Sequence, residues 1–517
     1  MQQSMKVDSL PAPTKSRMER MLDTVERVGN KVPHPAVIFV LLIAGLIALS
    51  HLMYWLGATV TFEQVNPDTN AVEETTVVAK SLLTGAGIRF MYADVVQNFM
   101  NFNAVGVIIV AMLGVGVADS SGLIAALIRK LVKVAPRRLL TYILVFVAII
   151  TSVAADAGYL VLIPLAAAAF LSIGRHPIAG LGASFAGVAA VFSVNIFIKP
   201  LDGILTEITN DAIHLVNPNE SIDLTANFWF SCASVVMLTF VVSIITDRFV
   251  EPRLGKYTGE VPAQDQEGGS GAESRGLKFA TWSLVGVLVF FALLALPSGA
   301  PLRNPETGSL LENSPFMNGL IVFIAAVFFV IGAAYGVGAG TMKGTADVVK
   351  AMEKAISDLG GLILLLFIIS QFLALFAYTN IATICAVRMG DTLERAGLGA
   401  LPLLLGFVIV VVILDLIMTG AIPKWAIFAP IFVPLLMRLG VKPDAVLAAY
   451  RVGDSPMNAI SPLNAYFALI VSFAAKYQKD AGVGTVIALM LPYVAAVLVV
   501  WILLLAAWQM LGIPWGF

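Results

Sequence analysis

Charged residues are scarce in this sequence: they make up 13% of its 517 residues, whereas hydrophobic residues make up 59%. Soluble domains are roughly 45–50% apolar and about 25% charged, so this composition excludes a water-soluble fold. The chain has no basic domain that would bind nucleic acid, and two cysteines, Cys232 and Cys385, imply no disulfide scaffold or metal cluster. The His-Glu-x-x-His, Gly-x-Ser-x-Gly and Walker A motifs of soluble enzymes are also missing.

Long apolar runs are what the sequence has instead. A bilayer core about 30 Å thick needs roughly 20 apolar residues in a helix. Nine runs meet this requirement, at about 36–56, 101–119, 178–198, 226–246, 277–296, 316–336, 358–378, 444–461 and 484–511. Two longer runs, about 139–172 and 403–437, are interrupted by Asp156-Ala157-Gly158 and by Thr419-Gly420-Ala421-Ile422-Pro423-Lys424. An interrupted run of this length indicates a helical hairpin that enters and leaves on one side of the membrane.

Basic residues in the loops indicate the orientation, because cytoplasmic loops are enriched in Lys and Arg. Such residues flank the first hairpin and place its ends in the cytoplasm: Arg129, Lys130, Lys133, Arg137, Arg138 and Arg175. The acidic loop at about 203–225 is expected outside, and the flexible linker at about 247–276 inside. Residues 1–35 are expected to form a cytoplasmic amphipathic segment on the membrane surface. Nine spans then leave the C-terminus in the periplasm.

The sequence also repeats itself without gaps at one offset. Tyr159, Pro164, Gly174, Pro177 and Gly187 match Trp425, Pro430, Gly440, Pro443 and Gly453, each 266 residues later (443 − 177 = 266). Both copies predict a broken hairpin, a Gly-x-x-Pro turn and a helix that ends in a polar break; chance similarity between two apolar segments is the alternative. Repeats that enter from opposite faces are typical of alternating-access transporters, whose sites form where discontinuous helices meet. We therefore expect the second hairpin to enter from the face opposite the first.

Seven charged residues fall at membrane depth, where a charge costs at least about 2.5–3.5 kcal/mol and commonly marks a functional site. They are Asp156, Lys199, Asp202, Asp415, Lys424, Arg451 and Asp454. Six of them lie at or beside a helix break, where exposed backbone groups and half-helix dipoles suit the binding of ions and carboxylates.

Five of these charges have a structural and a functional interpretation. Arg451 and Asp454 are three residues apart, so they either pair with each other or bind a substrate carboxylate and a coupling cation, respectively. Asp156 and Asp202 either cap helices or take part in ion coupling. For Asp415, packing or capping is the favoured interpretation.

Six further blocks of sequence carry a family resemblance. They are Gly29-Asn30-Lys31-Val32-Pro33-His34-Pro35, Gly174-Arg175-His176-Pro177, Glu251-Pro252-Arg253-Leu254-Gly255, Ala429-Pro430-Ile431-Phe432-Val433-Pro434, Tyr450-Arg451-Val452-Gly453-Asp454-Ser455 and Lys479-Asp480-Ala481-Gly482-Val483-Gly484-Thr485. Together they resemble the AbgT family of p-aminobenzoyl-glutamate transporters over nearly the whole chain. The resemblance implies a homodimer with nine spans and two opposed hairpins, and cation-coupled transport of p-aminobenzoyl-glutamate; some relatives expel sulfonamide antimetabolites. The family's functional positions correspond to Asp202, Trp425, Pro443, Arg451, Asp454 and Pro462.

The chain departs from this family in residues that would hold Na⁺. Where relatives carry Ser in the second hairpin it has Ile422, and the first hairpin has Thr151-Ser152-Val153 where some relatives carry Ser-Asn-Thr. Lys199 and Lys424 are present as well, and an ammonium group can take the space and charge of a missing Na⁺. Our hypothesis is that lysine replaces at least one cation site and shifts coupling toward protons.

The sequence therefore predicts an all-α polytopic protein of the bacterial inner membrane, with about nine transmembrane helices and two opposed re-entrant hairpins in an inverted repeat. Its expected parts are the segment 1–35, scaffold helices at 36–138 and 203–402, transport-core repeats at 139–202 and 403–475, and a last helix within 476–517. The expected function is secondary transport of p-aminobenzoyl-glutamate or related aryl-amide or anionic molecules, with sulfonamide efflux as a variant. A sodium-coupled dicarboxylate symporter and, from another class, an intramembrane enzyme are the alternatives.

Specific roles follow for the site residues. Trp425 is expected to stack on the ring of the substrate and Arg451 to bind its carboxylate, with further substrate contacts from Asp202, Asn458, Pro443 and Pro462. Ion coupling is assigned to Asp454, Asp202, Asp156, Lys424, Lys199 and Asn195. A sodium site at the hairpin tips near Asp156 and Asp454 is expected to be weakened by Ile422 and Lys424. No cofactor is expected besides a proton or Na⁺ as coupling ion, and the expected partners are the lipid bilayer and a second copy of the chain.

Overall fold

The computed structural model of the chain describes residues 33, 35–65, 72–153, 158–259, 271–310, 314–395, 399–415 and 420–517. The predictions for Asp156, for Thr419 and for nearly all of the N-terminal segment lie outside these residues.

Eight described helices are long and apolar enough to cross a membrane. Seven of them agree with predicted continuous spans: Pro35–Trp55, Asn103–Ser120, Phe228–Leu254, Gly271–Ala295, Leu320–Ala339, Gly360–Thr379 and Val483–Leu511. The eighth, Ala421–Arg438, is an arm of the second hairpin. The two remaining predicted spans are broken helices, so seven continuous and two broken helices make up the expected nine.

Shorter elements connect the spans. The helices among them are Gly85–Ala93, Val95–Met100, Leu123–Val134, Pro315–Asn318, Thr345–Asp358 and Ile381–Arg395. Strands Thr59–Val65 and Val72–Val78 pair antiparallel, with Thr59 opposite Val78 and Val65 opposite Val72. We did not predict this β-hairpin, although its Thr- and Val-rich composition is typical of strands.

Both predicted hairpins are present. Hairpin 1 has a first arm at Leu140–Ile150, extended by a 3₁₀ turn, and a second arm from Gly158 to Ser172. Hairpin 2 has arms at Ala400–Asp415 and Ala421–Arg438. Gly420 precedes the second arm at φ +96°, a conformation that glycine adopts without steric cost.

Each hairpin is followed by a helix that breaks and starts again. Broken helix 1 consists of Pro177–Phe185 with a π-helical extension to Ala190, and of Pro200–Ile213. Broken helix 2 consists of Pro443–Met457 and Phe467–Ala475. The predicted spans 178–198 and 444–461 are therefore only the first halves.

The predicted external loop at about 203–225 is wrong for its first eleven residues, which belong to the buried second half of broken helix 1. Pro200 stands in the first helical turn, where its fixed φ favours a helix start. Ile204, Leu205 and Ile208 recur at helical spacing and are at most 1% exposed. We judged this stretch by the sign of its charges, and its apolar periodicity is the signal that predicts the helix.

The turns between hairpin and broken helix are equivalent in the two repeats. Gly174 has φ +80°, and Gly440, its match 266 residues later in the chain, has φ +78°. A left-handed glycine ends a helix by turning the chain sharply. Pro177 and Pro443 then start the next helix three residues after each glycine.

The second matched pair of glycines allows close packing inside each repeat. A Cβ atom on Gly187 would lie 2.5 Å from the Cβ of Ala148, in the first arm of hairpin 1. A Cβ atom on Gly453 would lie 2.8 Å from the Cβ of Val411, in the first arm of hairpin 2. Each broken helix thus packs on its own hairpin through the same position, which supports the predicted repeat.

Candidate functional site

The hairpins and the helix breaks meet around one cavity of about 430 Å³, which we name the central cavity. Each hairpin contributes two lining residues, and most of the others lie in or beside the helix breaks. They include Ser152 and Tyr159 of hairpin 1, Gly420 and Ala421 of hairpin 2, and Lys199, Asn458 and Tyr466 at the breaks. Two predicted site residues, Lys199 and Asn458, therefore lie at the cavity. Discontinuous helices that meet at an internal cavity provide unpaired backbone groups for ligands.

A buried triad of charged side chains lies beside hairpin 2. Lys424 Nζ is 2.5 Å from Asp454 Oδ1 and also forms an ion pair with Asp415. The three side chains are at most 1% exposed. With every group ionised, two carboxylates face one ammonium, so the triad carries one unbalanced negative charge.

Asp415 thus belongs to the site, although we favoured packing or capping for it. Its carboxylate accepts no hydrogen bond from a backbone N–H or a hydroxyl in the described part of the chain, so it does not cap a helix. Its partner is Lys424, nine residues away across the hairpin tip. That proximity exists only because the two arms fold against each other.

Tyr450 connects the triad to the tip of hairpin 2. Its hydroxyl lies 2.5 Å from the carbonyl oxygen of Ala421 and 3.0 Å from Asp454 Oδ1. A phenol has one proton, so it can donate to only one of these acceptors at a time. The carbonyl of Ala421 and the carboxylate of Asp454 therefore compete for one proton, which links the triad to the hairpin tip. The sequence analysis contains Tyr450 within a family block but assigns it no role.

Arg451 pairs with Asp202, not with Asp454 as the local-pair interpretation expected. Its Nη1 lies 2.6 Å from Asp202 Oδ1 and 2.6 Å from the carbonyl oxygen of Ser193. The helix places Arg451 toward broken helix 1, whereas Asp454 turns to Lys424. The ion pair between Arg451 and Asp202 therefore joins the two repeats.

Asp202 also caps the second half of broken helix 1. Its Oδ2 accepts a hydrogen bond from the backbone N–H of Lys199 at 2.9 Å, while Oδ1 accepts from Arg451. Capping, one of the two interpretations that we gave for Asp202, therefore occurs together with an ion pair to Arg451, and a part in ion coupling stays a prediction.

Asn227 is a site residue that the sequence did not reveal. Its side-chain oxygen accepts a hydrogen bond from Arg451 Nε at 3.1 Å, and its Nδ2 donates to the carbonyl oxygens of Ala226 and Asp444. Because the two carbonyls require the NH₂ group, the amide orientation is fixed and the oxygen must face the guanidinium. Asn227 lies at the start of the predicted span 226–246, directly before helix Phe228–Ile245, where no pattern distinguishes it.

Trp425 is fully buried and does not line the central cavity. Its Nε1 donates to Thr209 Oγ1 at 3.0 Å and to the carbonyl oxygen of Leu205 at 3.2 Å. Its ring packs against Tyr450 with centroids 4.6 Å apart. In this conformation Trp425 fastens hairpin 2 to broken helix 1, and its stacking on a substrate stays a prediction.

Asn195 and Lys199 lie in the break of broken helix 1 and both contact hairpin 1. Asn195 Nδ2 donates to Ser152 Oγ at 2.9 Å and to the carbonyl oxygen of Ile150 at 3.0 Å. Lys199 Nζ donates to the carbonyl oxygen of Phe192 and lies 3.4 Å from Ser152 Oγ. These bonds satisfy carbonyl groups that a helix end leaves without partners.

The remaining predicted residues shape the breaks. Pro443 starts broken helix 2 and Pro462 lies in its break. Asn458 Nδ2 donates to the carbonyl oxygen of Asp454 at 2.8 Å, and Ile422 is partly buried in the second arm of hairpin 2. Among the described residues no three carboxylate, imidazole or thiol groups converge as a metal site, and the sodium site expected near Asp156 and Asp454 stays a prediction.

Broken helices, opposed hairpins and buried charges around an internal cavity define a membrane transporter. The family model described as "AbgT putative transporter family" matches residues 20–517. The chain therefore belongs to the AbgT family of transporters, as its sequence blocks indicated.

Individual relatives agree with this assignment. The p-aminobenzoyl-glutamate transport protein of Escherichia coli (strain K12) is 34% identical over 98% of this chain and 97% of its own length. The solved YdaH transporter of Alcanivorax borkumensis is 38% identical, with a TM-score of 0.87 over 94% of this chain and 100% of that chain. MtrF of Neisseria gonorrhoeae, reported as illuminating a class of antimetabolite efflux pumps, is 38% identical, with a TM-score of 0.89 over 95% of this chain and 97% of that chain. The predicted fold class is confirmed.

Proposed function

We propose that this protein is a secondary active transporter that moves p-aminobenzoyl-glutamate or related aryl-amide anions across the bacterial inner membrane. The observation that carries the proposal is the meeting of both hairpins and both helix breaks at the central cavity, next to paired buried charges. The substrate class rests on the E. coli relative, which is named for p-aminobenzoyl-glutamate transport. The substrate leaves chemically unchanged, so the protein acts as a carrier and not as an enzyme.

The charge of the triad favours the proton as the coupling ion. Its unbalanced negative charge is costly in a low-dielectric interior and is neutralised by one bound cation. Lys424 already stands between Asp415 and Asp454, where a metal ion would otherwise screen the two carboxylates. A proton on one carboxylate completes the neutralisation without further ligands. Na⁺ remains the alternative coupling ion.

Export of antimetabolites is a second candidate function. It is favoured by the 38% identity and the TM-score of 0.89 to MtrF, a relative reported with antimetabolite efflux pumps. Alternating access around one site can run in either direction with its gradient, so the two functions share one mechanism. We also propose a homodimer, with the N-terminus in the cytoplasm and the C-terminus in the periplasm.

Transport by purified protein in liposomes tests the proposal. Radiolabelled p-aminobenzoyl-glutamate should accumulate against its gradient when a pH gradient is imposed, and mass spectrometry should recover it unaltered. A sulfonamide assayed in parallel tests the efflux function. An absolute Na⁺ requirement with indifference to pH would contradict proton coupling, and a chemically altered product would contradict the carrier.

A further inference from the structure

Two tyrosines form an aromatic wall at the central cavity. Tyr159 lies at the start of the second arm of hairpin 1, and Tyr466 directly precedes the second half of broken helix 2. Their ring centroids are 4.1 Å apart and their planes differ by 8°, so the rings are stacked. Phe185 packs edge-on against Tyr159, with centroids 6.3 Å apart. The wall thus spans the two repeats and is supported by the protein core.

This wall has the properties of a surface that recognises an aromatic ring. Tyr159 is 7% exposed, whereas Tyr466 is partly exposed, so Tyr466 is the more accessible ring. Aromatic rings pack favourably in stacked or edge-on arrangements with one another. Ligand cavities are typically about 300–1,000 Å³ and combine aromatic walls with a few polar groups. The central cavity, at about 430 Å³, is within that range.

Lys199 supplies a cation at the same cavity. It is 1% exposed and, within the described part of the chain, it forms no ion pair. Its ammonium has three N–H donors, of which two have acceptors in the carbonyl oxygen of Phe192 and the hydroxyl of Ser152. A carboxylate in the cavity could accept from the third donor, and such a bond is strong where water is scarce.

Asn458 supplies an acceptor. Its Nδ2 donates to the carbonyl oxygens of Asp454 and Ser455, and in the described structure its Oδ1 has no hydrogen-bond donor. The residue is partly exposed and lines the cavity. Its free oxygen suits an amine or amide N–H of a ligand.

We propose that the central cavity is the substrate site and binds a ligand that carries both an aromatic ring and a carboxylate. The ring packs on Tyr466, backed by Tyr159, and the carboxylate pairs with Lys199. Asn458 accepts from an N–H group of the same ligand. This inference rests on the proposed function and names the residues that contact the substrate. It differs from our expectation that Trp425 and Arg451 make these contacts, because neither lines the central cavity and both are hydrogen-bonded to the other repeat.

Equilibrium binding to the purified full-length protein in lipid nanodiscs tests the site with three probes. They are p-aminobenzoyl-glutamate, the neutral p-aminobenzamide, which keeps the ring without a carboxylate, and N-acetyl-glutamate, which keeps the carboxylates without the ring. For the wild type we expect the first probe to bind tightest and both partial probes to bind at least about tenfold more weakly.

Variants then assign each part of the ligand to a residue. Tyr466→Leu should weaken the binding of p-aminobenzoyl-glutamate about fivefold to tenfold and leave that of N-acetyl-glutamate unchanged. Tyr466→Phe, which keeps a ring, should weaken the binding of p-aminobenzoyl-glutamate less than Tyr466→Leu does. Lys199→Met should weaken the binding of p-aminobenzoyl-glutamate and of N-acetyl-glutamate about tenfold or more and leave the binding of p-aminobenzamide unchanged. The matched control is Tyr378→Leu. Tyr378 stacks on Phe90, with ring centroids 4.6 Å apart, and it does not line the central cavity. This variant should not change binding.

The outcomes separate this site from the proposed function. If the wild type binds p-aminobenzoyl-glutamate and both Tyr466→Leu and Lys199→Met bind it unchanged, the site is wrong and the transporter assignment stands. If the wild type binds no aryl carboxylate, the proposed substrate class fails and the site fails with it. Should Lys199→Met not fold, the affinities of the wild type for the three probes still test the role of Lys199. Equal affinity for p-aminobenzamide and p-aminobenzoyl-glutamate overturns that role.

Discussion

Tyr159 and Trp425 occupy equivalent positions in the two repeats, yet their surroundings differ. Tyr159 lines the central cavity and stacks on Tyr466, whereas Trp425 is fully buried and hydrogen-bonded to Thr209. The same contrast holds for charge. Repeat 2 (hairpin 2 with broken helix 2) holds the Lys424 triad, while Lys199 in repeat 1 (hairpin 1 with broken helix 1) forms no ion pair within the described residues.

The difference teaches that the repeats share a backbone but divide the chemistry. Glycines at matched positions set the common packing, as Gly187 and Gly453 show. The larger side chains around that frame are free to differ, so the charged triad belongs to repeat 2 alone, whereas the aromatic wall takes one tyrosine from each repeat. A transporter needs both a substrate site and a group that binds the coupling ion, and we propose the central cavity and the triad for these two roles.

The largest expected effect comes from removing the cation of the triad. Lys424→Met leaves Asp415 and Asp454 buried without a counter-charge, which we expect to cost about 3–5 kcal/mol of stability and to abolish transport. Thermal unfolding in detergent and liposome uptake measure the two effects. Lys199→Met makes the same replacement at a buried lysine of repeat 1 and should destabilise the protein less, because it breaks no ion pair among the described residues. Equal losses of stability would erase the contrast between the repeats.

Alanine at the two packing glycines tests the shared backbone. Gly187→Ala and Gly453→Ala each place a Cβ within 2.8 Å of a neighbouring side chain, so each should cost about 1–3 kcal/mol by overpacking. The unfolding temperature of each variant measures the cost. Gly286→Ala is the control, since a Cβ there meets nothing within 4 Å. If only one of the two variants is destabilised, the repeats do not pack alike.

A smaller effect is expected where the repeats are joined. Asn227→Ala removes the acceptor of Arg451 Nε and should lower the initial transport rate about tenfold, while the unfolding temperature falls modestly. Asn217→Ala is the control, because Asn217 is an exposed residue bonded to Glu220 in the same loop. A rate for Asn227→Ala equal to that of the wild type would show that the orientation of Arg451 does not depend on this amide.

Much of the fold was predictable because its signals are local. Apolar runs gave the spans, and the Gly-x-x-Pro spacing located the turns that Gly174 and Gly440 form. The second half of broken helix 1 was missed because four acidic residues dominated our interpretation of 203–225, although Ile204 and Ile208 keep helical spacing.

The site was predictable in its residues but less so in their pairing. Arg451, Asp202, Lys424 and Asp454 were selected because charges at membrane depth are costly, and each is an ion-pair partner in the structure. Their partners were not predictable, because Arg451 meets a residue 249 positions away. Asn227 and Tyr466 carry no such cost and so left no signal.

Local features of the sequence specify that this chain lies in a membrane, that it breaks its helices at two related places and that charges accompany those breaks. These are consequences of apolar length, of glycine and proline geometry and of the cost of dehydrating a charge, all of which act along the chain. The pairing of Lys424 with Asp415 and Asp454, the burial of Trp425 and the stacking of Tyr159 on Tyr466 arise from packing in three dimensions. Those contacts depend on how distant segments pack, and no pattern along the chain encodes that packing.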